Sequence, residues 1–125
     1  MIANALAYLS GAALVLWGVA HVVPTRAVAD GLGEIEADSR RIFVMEWLAE
    51  GIAHISIGVL VVLVAAGGYG GDPTADLVYR VLAAALVSLA ALTVATGART
   101  PVMWFKVCPL VLSTAAALLV LSTLV

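Results

Sequence analysis

The sequence predicts an all-α membrane protein, a bundle of four transmembrane helices, and three observations lead to that fold class. The 125 residues are 64% hydrophobic and only 11% charged, whereas soluble domains are about 45–50% apolar and about 25% charged. The mean hydropathy is +1.16. Four apolar stretches reach about 20 residues, the length that a helix needs to cross the hydrocarbon core. We therefore expect a single membrane domain that covers residues 1–125.

The first two predicted spans are residues 2–23 and residues 42–66. A proline follows the first span and disfavours helix in the residue before it. The second span is predicted to begin after a cap at Asp38 or Ser39, and a glycine-rich run ends it. Residues 24–41 between them form the only long connection. This connection is interpreted as a solvated surface loop or, alternatively, as a lid over a site.

The last two predicted spans are residues 73–97 and residues 101–124. The third opens with Asp72 as a cap and a proline at the first helical position, and it stops at a glycine. The fourth begins at Thr100 and Pro101 by the same device. Pro109 lies further inside the fourth span and is expected to kink it, because its nitrogen has no proton for the helical ladder.

The basic residues predict the orientation of these spans. Five of the six lie on or beside the two connections at one end of the bundle: Arg26, Arg40, Arg41, Arg99 and Lys106. Only Arg80 lies towards the end that carries both termini. Basic residues are retained in the cytoplasm, so the predicted topology places the N-terminus and the C-terminus outside it.

A stripe of ionisable residues lies inside the second predicted span. Glu46, Glu50 and His54 are four residues apart, so they share one helical face with a drift of about 40° per step. A charged side chain within hydrocarbon costs several kcal/mol and marks a candidate functional site. The stripe is therefore expected to face the other helices rather than lipid.

Other polar and aromatic residues lie at a depth where they could meet this stripe. His21 and Trp17 end the first span, and Trp104 and Lys106 begin the fourth. Glu46 could then pair with His21 or with Lys106. The alternatives are that Lys106 extends to the headgroups and that the tryptophans, with Trp47, form an interfacial aromatic belt.

Acid–base chemistry is the reaction type that this set suggests. Glu50 and His54 are predicted to pair and, with Glu46, to be the catalytic residues, because burial and pairing oppose each other in setting their proton affinities. Trp17, His21, Trp47, Trp104 and Lys106 are the predicted ligand-binding residues. The alternative is a purely structural hydrogen-bond network between helices. No metal ligands are assigned, because the spacing is not the Glu-x-x-His of di-iron bundles.

Three segments carry a resemblance to known proteins: Trp17–Thr25, Arg41–Gly51 and Lys106–Pro109. They resemble a family of small, uncharacterised bacterial four-helix integral membrane proteins. The architecture is similar to that of DoxX-like proteins and of the sterol-isomerase-type bundles, which use membrane-embedded Glu and His as acid and base. The resemblance implies the four-helix fold and carries no activity over to this chain.

The functional hypothesis is a multi-pass protein of the cell (inner) membrane with a Glu/His site in the cytoplasmic half. It would act as a binding protein or an enzyme on a small lipophilic molecule (a quinone, an isoprenoid or a lipid) by proton transfer. Two alternatives remain open: a non-enzymatic accessory subunit or homo-oligomer within a larger membrane complex, and a proton-coupled small carrier. The net charge of −2 gives no indication of a nucleic-acid partner, and the sequence names no cofactor.

Overall fold

Four long helices dominate the computed structural model, which describes all 125 residues. They are α1 (Ile2–Val22), α3 (Ala37–Ala66), α4 (Pro73–Ala95) and α5 (Met103–Ser122). A short helix α2 (Thr25–Asp30) follows α1, and a 3₁₀ turn (Gly97–Arg99) follows α4. There is no strand. All four long helices are long and apolar enough to cross a membrane, which confirms the predicted helical architecture.

The four helices form an open bundle rather than a closed ring. Helix α1 packs extensively on both α3 and α5, and α4 packs on α5, but α3 and α4 scarcely touch. The Ser10 hydroxyl of α1 donates a buried hydrogen bond of 2.9 Å to the Ala115 carbonyl of α5. A cleft therefore separates α3 from α4 along one side of the bundle. The end with α2 and the 3₁₀ turn is called the α2 end, and the opposite end the termini end.

Small residues bring α1 and α3 unusually close. A Cβ atom added to Gly18 would lie 2.7 Å from the Gly51 carbonyl oxygen, and one added to Gly58 would lie 2.6 Å from the Gly11 carbonyl oxygen. Side chains at these four positions would therefore hold the two backbones apart. Close approach through small residues is a common basis of helix packing in membranes, where the hydrophobic effect does not drive helices together.

A side-chain cap begins only one of the four long helices, α4, and the predicted cap of α3 was wrong. The Asp72 carboxylate accepts hydrogen bonds from the backbone N–H groups of Thr74 and Ala75 at 2.7 and 3.3 Å, so this predicted cap is confirmed. These two donors hold the pKa of Asp72 below its ordinary value, because they stabilise the charged form. In contrast, neither Asp38 nor Ser39 caps α3.

Helix α3 begins at Ala37, five residues earlier than predicted, and no side chain caps it. The guanidinium group of Arg40 donates to the Ala29 carbonyl at 2.9 Å and pairs with the Asp30 carboxylate. These contacts tie the first turns of α3 to α2, the helix that the sequence interpretation missed inside the loop. At about 1.5 Å per residue, the 30 residues of α3 are about 45 Å long, so its charged start extends beyond about 30 Å of hydrocarbon.

The junction between α4 and α5 also differs from the prediction. Helix α4 ends at Ala95, and the chain passes through the 3₁₀ turn before α5 begins at Met103, two residues later than predicted. The Thr100 hydroxyl donates to the Gly97 carbonyl at 2.7 Å, so Thr100 closes the turn instead of starting the next helix. Pro109 lies inside α5, where the sequence placed it.

Replacing Gly58 by alanine should lower the stability of the bundle. The added methyl group would meet the Gly11 carbonyl of α1, and overpacking of this kind costs about 1–3 kcal/mol. The free energy of unfolding, measured in detergent by denaturant titration, should fall by that amount. Ser56→Ala, an exposed small substitution on the same helix, is the matched control. Equal stability of the two variants would contradict the close α1–α3 packing.

Candidate functional site

A cavity of about 450 Å³ lies in the cleft between α3 and α4 at the α2 end. Helix α3 provides one wall, α4 the other, and the 3₁₀ turn and the start of α5 close the end. The wall is mostly apolar, with two carboxylates and two threonines as its polar groups. The lining residues are Phe43, Glu46, Trp47, Ala49, Glu50, Ala53, Leu89, Leu92, Thr93, Thr96, Gly97 and Phe105.

Glu50 connects this cavity to a buried histidine. Its side chain is 34% exposed and lines the cavity, while the His21 side chain behind it is only 5% exposed. The His21 Nε2 atom lies 3.6 Å from the Glu50 Oε2 atom. This pairing follows from the close contact between Gly18 of α1 and Gly51 of α3. His21 lies about one turn beyond Gly18, and Glu50 directly precedes Gly51, so the contact brings the two side chains together. The acid–base pair thus joins two helices.

Trp47 fixes the position of the His21 ring. The two rings stack with centroids 3.8 Å apart and planes 17° apart. The indole Nε1–H of Trp47 also donates to the His21 backbone carbonyl at 2.8 Å. Trp47 is 4% exposed, so it lies in the interior and not in an interfacial belt. Trp104, at 52% exposure, remains compatible with a belt, and its ring centroid lies 6.4 Å from that of Trp17.

His54 occupies the core behind the cavity and does not pair with Glu50. Its side chain is completely buried, and neither ring nitrogen has a hydrogen-bond partner. Its ring stands edge-on to that of His21, with centroids 6.1 Å apart. The predicted Glu50–His54 pair was therefore wrong, because His21 takes the place beside the carboxylate. An unpaired polar group in a dry interior costs about 1–3 kcal/mol, so His54 is a costly residue at this position.

Besides those of His54, two further buried nitrogen atoms of the bundle have no hydrogen-bond partner. The indole Nε1 atom of the half-buried Trp17 also has no partner, and the same is true of His21 Nε2 by hydrogen-bond criteria. Cys108 of α5 lies near Trp17 and Thr93. Glu50, His21 and His54 thus follow one another from the cavity wall into the core. They give the site a proton-accepting group at the surface of the cavity and two imidazoles behind it.

Glu46 and Lys106 do not join this arrangement as predicted. Both are exposed, and neither forms an ion pair with any residue of the chain. The predicted Glu46–His21 and Glu46–Lys106 pairs were therefore wrong. The drift of about 40° between helical positions four apart turns Glu46 to the rim of the cavity, where it still lines the wall. Lys106 lies outside the lining.

The sequence interpretation missed the aromatic and hydroxyl residues that complete the wall. Phe43 and Trp47 are four residues apart on α3, with ring centroids 5.8 Å apart, and the Phe105 ring lies 5.5 Å from Trp47. The helical spacing could have identified Phe43. Phe105 and Thr93 could not be identified, because nothing in the sequence shows that α4 stands away from α3.

The structure brings no three His, Cys, Asp or Glu side chains within reach of one metal ion.

Comparison with protein-family models, with curated proteins and with solved structures finds no match to this chain. The resemblance to small bacterial four-helix and DoxX-like membrane proteins accordingly stays a prediction.

Proposed function

We propose that this chain is a multi-pass protein of the cell (inner) membrane that binds a small lipophilic molecule in the cavity between α3 and α4. Glu50 would contact the ligand and exchange a proton with it, and His21 would hold or release that proton. The observation that carries the proposal is a mostly apolar cavity whose wall contains a carboxylate backed by a buried imidazole.

The position of the cavity supports a ligand that arrives through the membrane. Because α3 and α4 scarcely touch, the cleft opens sideways, towards the lipid that would surround the bundle. Glu50 lies eight residues beyond Ile42, the predicted start of the apolar span. At about 1.5 Å per residue this is about 12 Å along α3, a depth at which the cavity would open to the acyl chains of the lipid. Ligand pockets of about 300–1,000 Å³ are usual for small molecules, and the cavity volume of about 450 Å³ falls in this range.

The polar geometry supports proton exchange rather than simple packing. A structural link between α1 and α3 is already provided by the glycine contacts, so a glutamate is not needed for it. Trp47 holds the His21 ring against rotation, and a positioned acid–base group requires such an orienting contact. The accessory-subunit alternative requires a packed interior at Glu50, and the cavity there favours the ligand-binding proposal.

The same proposal places the α2 end in the cytoplasm. Arg26, Arg40, Arg41, Arg99 and Lys106 all lie at that end of the bundle, and the bias of basic residues sets the orientation of membrane proteins. The cavity would then open in the cytoplasmic half of the bilayer, and both termini would lie outside.

A reporter at the C-terminus should test this orientation. A reporter enzyme that works only in the cytoplasm should be inactive when it is fused to the C-terminus. The same enzyme inserted after Gly33, in the connection between α2 and α3, should be active. Activity at the C-terminus together with inactivity after Gly33 would reverse the orientation.

A neutral photoreactive probe should label the cavity. We expect trifluoromethyl-phenyl-diazirine, added to the protein in lipid nanodiscs, to label Trp47 and Phe105 saturably, because both rings line an apolar cavity. Lipid-facing residues should be labelled in proportion to probe concentration without saturation. The labelled positions can be identified by peptide mass spectrometry.

Two tryptophan substitutions on α3 give the matched comparison. Ala53→Trp would fill the cavity, because Ala53 lines it, and should abolish saturable labelling. Ile52→Trp places the same side chain at an exposed position of the same helix that does not line the cavity and should leave labelling unchanged. Saturable labelling that survives Ala53→Trp, or that is absent from the wild type, would refute the binding site.

The proton part of the proposal has its own readout in the same nanodiscs. Saturating the cavity with the probe should change the infrared carbonyl band of a protonated carboxyl group, and Glu50→Gln should remove that change. A difference band that persists in Glu50→Gln would show that another carboxyl group responds.

A further inference from the structure

We propose that the ligand of this cavity is a lipophilic organic cation, namely a protonated amine whose N–H proton can be exchanged with Glu50. This inference rests on the proposed binding function and narrows it to one chemical class. It follows from three properties of the wall: the sign of its charges, the direction of its hydrogen bonds and the arrangement of its aromatic rings.

The only charged groups in the wall are carboxylates. Glu46 and Glu50 line the cavity, and no Lys, Arg or His side chain does. Three basic residues lie within two residues of the lining in sequence, and all are exposed and outside it: Arg41, Arg99 and Lys106. An anionic ligand would therefore be repelled by the carboxylates and would find no basic side chain to bind. A cation would be attracted to the carboxylates, and this attraction is stronger in an apolar cavity than in water.

The side-chain donors of the wall are already occupied. The hydroxyl groups of Thr93 and Thr96 donate to the Leu89 and Leu92 carbonyls of their own helix at 2.9 and 2.7 Å. The indole N–H of Trp47 donates to the His21 carbonyl. The wall thus offers oxygen acceptors and no free side-chain N–H or O–H. A neutral carbonyl ligand such as a quinone would find no side-chain donor here other than a protonated Glu50.

Aromatic rings form the other part of the wall that can attract a cation. The rings of Phe43 and Phe105 are half-buried, with centroids 5.8 and 5.5 Å from that of Trp47. Trp47 is 4% exposed and one of its faces is covered by His21, so Phe43 and Phe105 provide the accessible ring surface. Ring faces attract organic cations through their quadrupoles, with the strongest effect in desolvated sites. Carboxylates and aromatic rings around one cavity therefore favour a cation with apolar substituents over a neutral or anionic lipid.

Two ions of the same shape and opposite charge test the inference. Tetraphenylphosphonium and tetraphenylborate have no exchangeable proton, so they report the charge preference of the cavity alone. They should be compared by equilibrium dialysis against nanodiscs of zwitterionic lipid, with the uptake by empty nanodiscs subtracted. We expect saturable binding of the phosphonium ion and none of the borate ion. Equal saturable binding of the two ions, or a preference for borate, would overturn the inference.

The residues of the wall should affect this binding in a defined order. Glu50→Gln should weaken phosphonium affinity by about tenfold or more, since it removes a partly buried charge partner. Glu46→Gln should weaken it less, because its exposed carboxylate is screened by solvent. Glu34→Gln, which changes an exposed loop carboxylate that makes no hydrogen bond or ion pair, should leave it unchanged. Unchanged affinity in Glu50→Gln would overturn the inference.

A second variant protects the test against a folding defect in Glu50→Gln. Phe105→Leu removes one ring and keeps an apolar side chain, so it should weaken phosphonium binding several-fold while diazirine labelling of Trp47 persists. Labelling by the neutral probe without any phosphonium binding would refute the cation assignment and leave the binding function standing. If the wild-type protein shows neither saturable diazirine labelling nor phosphonium binding, the binding function and the cation assignment are both refuted.

Discussion

The close contact between α1 and α3 determines the rest of this structure. Gly11 and Gly18 on one helix meet Gly58 and Gly51 on the other, and the two backbones approach too closely for any side chain between them. This contact fixes how far along each helix the other lies, and so it decides that His21 stands beside Glu50. A shift of one turn would separate the carboxylate from the imidazole and expose one of them.

The openness of the bundle follows from the same contact. One side of α1 is occupied by α3 and another by α5, and the Ser10 hydroxyl bond to Ala115 anchors the second interface. Helix α4 then packs mainly on α5 and scarcely touches α3, so the cleft beside α3 remains open. The hydrophobic core, with Leu14, Leu86 and Leu112 completely buried, stabilises the bundle with little contact between α3 and α4. The open cleft is therefore a consequence of the contacts that α1, α3, α4 and α5 make at the other three interfaces.

Several buried polar side chains of the bundle lower its stability, because they have no hydrogen-bond partner. His54 is completely buried with two unpaired ring nitrogens, and the indole Nε1 atom of Trp17 is also unpaired. Packing alone would be better served by apolar residues of similar size. Glu50 and His21 lie between His54 and the cavity, so the unpaired imidazole of His54 lies behind the proposed ligand site. Such local conflict with folding rules is expected at functional sites.

The sequence was sufficient for the helices and insufficient for their contacts. Apolar length, the Asp72 cap and the proline that follows it predicted the spans to within a few residues, because these signals act within one helix. Helical periodicity also placed Glu50 and His54 on one stripe. It could not show that His21 would displace His54 as the partner of Glu50, since that depends on the relative depth of two helices.

Residues near the ends of elements were the other source of error. Arg40 bonds to α2, a helix too short to give a periodic signal, and so α3 starts earlier than its apolar pattern suggests. Thr100 closes a 3₁₀ turn rather than capping α5. Phe105 enters the site only because that turn and the open cleft bring the start of α5 beside Trp47. Each of these features is set by tertiary contacts that no single segment encodes.

The central claim is that a lipophilic molecule binds beside Glu50 in the cleft between α3 and α4. An experimental structure of the protein in a lipid nanodisc, without any added ligand, would test it most directly. The account predicts that α3 and α4 remain apart at the α2 end, with His21 beside Glu50 and density for a bound lipophilic molecule in the cavity against the Glu50 carboxylate. A closed contact between α3 and α4, with Glu50 packed against protein and no space beside it, would contradict it.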